Sequence, residues 1–113
     1  PVAHLDRLGL LDPQTLLAHC VWVDDADIEI LGASGCAVTH CPESNMKLAS
    51  GIAPVPEMLA SGVCVGLGTD GCASNNNLDL FGEMATAAKL HKVNTLDPTV
   101  LDAETVLAMA QEK

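Results

Sequence analysis

Gly62-Val63-Cys64-Val65-Gly66-Leu67-Gly68-Thr69-Asp70-Gly71 is a short apolar run, opened by glycine and closed by a carboxylate. A run of this length, rich in Val and bounded by turn residues, predicts a buried β-strand rather than a helix. Two earlier stretches have the same design. Thr15–Val21 carries His19, and Cys36-Ala37-Val38-Thr39-His40-Cys41 carries His40 and stops at Pro42, which has no N–H to give a sheet ladder. All three runs are continuously apolar rather than alternating, the pattern of parallel strands buried on both faces.

Between and after the runs lie helical patterns. Asp24–Leu31 opens with aspartates that cap free N–H groups and suit the positive end of a helix dipole, and Gly32 and Gly35 are read as its end. Ser44, Asn45 and Gly51 read as a polar loop, and a short helix is expected around Pro56–Ser61. After the loop Gly71–Asn77, a longer helix is predicted from about Leu78 to Val93, with Leu80, Met84, Ala87, Ala88 and His91 on one face. A last helix is expected over Asp102–Gln111, capped by Asp102. His4 and His91 read as surface or packing residues. The order βα, βα, βα, α defines an α/β chain, either part of a (β/α)8 barrel or an open doubly wound sheet. Three strands cannot close a barrel, which needs eight strands and about 250 residues.

Composition narrows the function. The 113 residues carry 15 acidic and 5 basic side chains, a net charge of −10, with 49% hydrophobic residues and almost no aromatics. Such a surface repels phosphate backbones and anionic lipid, so neither nucleic acid nor membrane is an expected partner. Five cysteines without a CxxC pair, and no apolar run of membrane-spanning length, suit a reducing cytoplasm. Gly66–Gly71 also fits the dinucleotide pattern GxGxxG. That reading fails on context, because Ser74 and three asparagines delay the helix and no strand-end acid follows about 20 residues later.

His19, His40 and Asp70 each stand at the C-terminal edge of a strand, the edge where parallel α/β folds bind ligands and do chemistry. Taken singly, each has a plain structural explanation, a satisfied core histidine or an Asx-turn. Three in succession converge on one mouth.

At these residues the chain resembles the 5′-methylthioadenosine/S-adenosylhomocysteine deaminases of the amidohydrolase superfamily, close to the triazine chlorohydrolases. The matching stretches are Leu17–Val21, His40–Pro54 and Gly66–Asn76, and the likeness runs from about Pro1 to Ala110. The resemblance implies a partial (β/α)8 barrel, strands 6 to 8 with their helices, with residues 1–113 as one C-terminal fragment of the catalytic domain. It implies that Asp70 is a metal ligand that also takes a proton from the attacking water. His19 would orient that water or the tetrahedral intermediate. His40, Ser44, Asn45 and Ser74 would shape the substrate pocket. The implied cofactor is one divalent metal ion, zinc, with iron or manganese as alternatives, and the implied substrate is a small nucleoside or heterocycle. Guanine or cytosine deamination and triazine dechlorination remain alternatives within the superfamily.

The family's strand-1 HxH pair and strand-5 histidine have no counterpart here, and a catalytic zinc site takes three protein ligands or more. The expectation is therefore an incomplete ligand set, and a chain that binds metal poorly and is inactive alone. Both ends read as cut. A non-catalytic binding module, or a homo-oligomer paired through exposed sheet edges, is the reading from a different class.

Overall fold

The computed structural model describes residues 1–111; Glu112 and Lys113, the end of the expected 1–113 segment, lie outside the described residues. The elements are α1 (Val2–Arg7), β1 (Leu16–Ala18), α2 (Asp25–Ser34), β2 (Ala37–His40), α3 (Pro42–Lys47), α4 (Val55–Ala60), β3 (Cys64–Leu67), α5 (Leu80–Thr95) and α6 (Ala103–Gln111). The strands form one parallel sheet in the order β1-β2-β3, with Leu17 beside Val38 and Val38 beside Val65. The chain is thus α/β, as expected, with helices in every crossover. Among the described residues no helix is long and apolar enough to cross a membrane.

Paired strand residues share a face, and neighbours along a strand alternate. Val38 and Val65 are fully buried and join Leu31, Val55, Met58, Ala87, Val106 and Met109 in the core. The opposite face, with Ala37, Thr39, Cys64 and Gly66, is only half-buried, and Leu16 on β1 is 65% exposed. This corrects the expectation of burial on both faces. β1 is an edge strand among the described residues, and the face made of small side chains has little laid over it.

Local signals explain most boundaries. Asp24 and Asp27 form a reciprocal capping box at the start of α2, with Asp27 N–H donating to Asp24 at 2.8 Å. Gly32 does not end this helix, which runs on to Ser34. A Cβ at Gly32 would lie 2.6 Å from the Ser61 carbonyl oxygen, so its role is close approach to the turn after α4. The polar stretch after Pro42 is a helix and not a loop: proline suits the first helical position, but Glu43, Ser44 and Asn45 offer no apolar period to reveal it. Asp102 caps α6 as expected, accepting from Thr105 N–H at 2.9 Å.

Gly68, just after β3, is explained by packing. A Cβ there would stand 2.6 Å from Cγ2 of Thr39 on β2 and 3.4 Å from Sγ of Cys41 just beyond it. Gly68→Ala should therefore lower stability by about 1–3 kcal/mol. Thr39→Ser, which removes the obstructing methyl, should recover most of it in urea unfolding; a double variant no better than Gly68→Ala would refute the steric account.

Candidate active site

His19 follows β1 directly, and Asp70 stands three residues beyond β3. Both have left-handed backbone, with φ 69° and φ 59°, a conformation that disfavours residues with a Cβ. The left-handed turn aims both side chains over the C-terminal edge of the sheet. His19 N–H still donates to the Thr39 carbonyl at 2.9 Å, so the turn begins where the ladder ends.

Asp70 is the hub. Its Oδ2 accepts from Ser44 Oγ at 2.7 Å and from Ser74 Oγ at 2.9 Å, while Oδ1 accepts from Gly71 N–H at 2.8 Å. The Ser44 hydroxyl first, then Gly71 N–H and Ser74, stabilise the ionised carboxylate and hold its pKa down to about 2. Asn45 Oδ1 lies 2.9 Å from His19 Nδ1. An amide oxygen can only accept, so Nδ1 donates to it, and Nε2 faces Asp70 Oδ2 at 3.6 Å.

With Nε2 unprotonated, these two acceptors can share a donor or a cation between them. A carboxylate oxygen suits a divalent metal ion and an imidazole nitrogen suits water beside it, so the residues fit a metal held through Asp70. Among the described residues, no three His, Cys, Asp or Glu side chains gather to complete one.

His19, Ser44, Asn45 and Asp70 line one open pocket of about 330 Å3, with Trp22 and Leu48 on its walls. A larger hollow of about 450 Å3 adjoins it beside Val23, Ile52 and Pro54, but its acids Asp24 and Asp27 are occupied in capping α2. Of the expected site residues, five therefore come together: His19, Ser44, Asn45, Asp70 and, through Asp70, Ser74. His40 does not join them. It ends β2 on the same face as Val38, fully buried, with Nε2 3.0 Å from Nε2 of His91 on α5. Direct substrate contact does not follow from that position. His91 is a packing residue.

The buried His40 resists protonation. Burial first, then His91 and His19, push its pKa down to about 3, against an unfolded value near 6.5. Between those values the unfolded chain binds a proton that the folded chain does not, so stability falls as pH drops below about 6.5. From pH 7 to pH 5 the loss should be about 2 kcal/mol in urea unfolding. Burial lowers the pKa of His91 in the same direction, so His40→Gln should reduce that dependence without abolishing it; an unchanged slope would acquit His40.

Two residues with a part in the site escape sequence reasoning. Glu83 is fully buried on α5, and its carboxylate accepts from the Asn75 side-chain amide and, at 3.2 Å, from Glu43 N–H. Asn75, also buried, donates from the same amide nitrogen to the Thr69 carbonyl at 3.0 Å. Glu83 lies four residues before Ala87 and eight before His91, on the buried stripe, and that position was its available signal.

Residues 1–111 match the amidohydrolase family, and the chain belongs to that family of hydrolases. It is 68% identical over 110 residues to a 5-methylthioadenosine/S-adenosylhomocysteine deaminase of Syntrophobacter fumaroxidans, covering 97% of this chain and 25% of that protein. It is 67% identical over 105 residues to a 5′-deoxyadenosine deaminase of Methanosarcina barkeri, covering 93% of this chain and 24% of the relative. Among solved structures, an adenosine deaminase of Xanthomonas campestris with bound zinc superposes with a TM-score of 0.93 at 47% identity, over 97% of this chain and 25% of that one. The chain spans about a quarter of the length of the curated relatives it matches.

Proposed function

We propose that this segment is the C-terminal part of the catalytic (β/α)8 barrel of a metal-dependent hydrolytic deaminase. Its substrate would be an adenosine-type nucleoside such as methylthioadenosine or S-adenosylhomocysteine. The observation that carries the reading is the Asp70 hub: a carboxylate at the strand C-terminal edge, fixed by two serine hydroxyls and facing an imidazole nitrogen across 3.6 Å.

Asp70 would hold the metal through a carboxylate oxygen, with further ligands from residues beyond this chain. A bound divalent cation supplies Lewis acidity and lets water ionise near neutral pH. The chain's own residues do the rest. Gly71 N–H keeps Oδ1 in place while Asp70 takes the proton of the attacking water at Oδ2. A carboxylate held near 2 is a weak base, so proton uptake requires Ser44 or Ser74 to turn its hydroxyl hydrogen away. The Asn45 contact fixes the ring of His19 and aims Nε2 at the reacting centre, where it can stabilise charge that develops only in the transition state. Water adds at C6 of the adenine ring, Asp70 passes the proton on to the departing amino group, and ammonia leaves.

Five free cysteines agree with a reducing, cytoplasmic setting. Among the described residues the ligand set is incomplete, so the 113 residues alone should be inactive, and their half-covered sheet invites pairing between copies.

The test is ammonia release by the longer protein that carries this segment. Methylthioadenosine and S-adenosylhomocysteine should be deaminated, and zinc should be removable by chelation with loss of turnover. Turnover only of guanine or a triazine would move the substrate elsewhere in the superfamily, and full activity after chelation would sink the metal. For the 113-residue chain after dialysis, zinc should be well below one per chain. Stoichiometric zinc lost in Asp70→Asn would instead mean that copies assemble a site together.

A further inference from the structure

A buried carboxylate normally sits against a cation, but Glu83 has only N–H groups for partners. Those partners belong to two separate segments. Glu43 N–H lies in the first turn of α3, a helix whose own N-cap residue, Cys41, makes no side-chain capping bond. Asn75 belongs to the loop between β3 and α5, and its amide also grips the Thr69 carbonyl next to Asp70. Glu83 thus caps one helix from outside while anchoring the loop. Lys47 spans the same gap from the solvent side, donating to the Ala73 carbonyl at 3.0 Å and to Asn76 Oδ1 at 2.7 Å.

These two segments carry the groups that hold the site. Ser44 and Asn45 follow Glu43 on α3, and Ser74 precedes Asn75 in the loop. Ser44 and Ser74 meet on the same oxygen of Asp70, so their relative placement to within tenths of an ångström decides whether both hydrogen bonds form.

We propose that Glu83 is a positioning residue for the deamination reaction, setting Ser44 and Ser74 on Asp70 by bridging α3 to the 71–77 loop. The role rests on the proposed function. It requires a carboxylate, because both partners donate: a carboxylate offers an acceptor on each side, whereas a carboxamide turns an NH2 toward one donor. Glu83→Gln is therefore nearly isosteric yet must lose one arm of the bridge.

In the deaminase that carries this segment, Glu83→Gln should lower kcat about 10–100-fold with KM within about threefold, the usual cost of losing a residue that orients a metal ligand. In a Ser44→Ala/Ser74→Ala background the same change should cost no more than about twofold, because the groups it acts through are gone. A full, additive loss in that background would overturn the proposal, as would unchanged kcat in the single variant. On the 113-residue chain, Glu83→Ala should speed hydrogen exchange at the Glu43 amide at least about tenfold more than at Val38 in β2. Equal change at both amides would mean general loosening and would also overturn it. The exchange measurement needs no substrate. If the longer protein deaminates nothing, the proposed function falls while the bridge itself is still decided.

Discussion

Asp70→Asn should abolish useful turnover in the enzyme that contains this segment, lowering kcat by about 10³-fold or more. On the proposed function, the substitution removes a negative charge from the metal-ligand position together with the acceptor of the water's proton. It also puts an NH2 group or a lone amide oxygen where one carboxylate accepts three hydrogen bonds. Asparagine tolerates the left-handed backbone at this position, with φ 59°, so the fold should survive. The check is kcat with metal content and thermal unfolding on the same preparation. Turnover within about tenfold of wild type would show that Asp70 is neither ligand nor base.

His19→Ala should be the second-largest effect, with kcat reduced about 10²–10³-fold and metal content retained. On the proposed function Nε2 serves the reacting centre, while Nδ1 is committed to Asn45. Alanine is strained at φ 69°, so His19→Asn, which accepts that backbone more readily, separates folding from chemistry. Both variants should fail alike in turnover while differing in stability. An unchanged rate with unchanged metal would remove His19 from the mechanism, and loss of metal in both would make it a ligand.

Much of this architecture is legible in the residues alone. Glycine and proline bound the second and third apolar runs, and the polar residue at the end of each strand marks the working edge of the sheet. Parity along the strand corrects His40 from the same source: two residues after Val38, it must share Val38's face and point into the helices. α3 stayed hidden because a helix started by proline and filled with Glu, Ser and Asn has no apolar rhythm. The pairing of His19 with Asn45 spans 26 residues and is set by how α3 sits on the sheet edge, which no local spacing encodes. Glu83 was concealed differently. Its stripe on α5 reads as core from its apolar members, and a charged residue within such a stripe is easily assigned to solvent although its spacing puts it inside.

The left-handed backbone at His19, Cys20 and Asp70 has a consequence for anyone engineering this segment. Each residue with a Cβ held there costs on the order of 1–2 kcal/mol against its relaxed conformation. A library sorted only for heat tolerance would therefore drift toward glycine or asparagine at 19 and 70. The survivors would be sturdier proteins with an empty workbench, and each round of thermal selection would have to be paired with a screen for ammonia release.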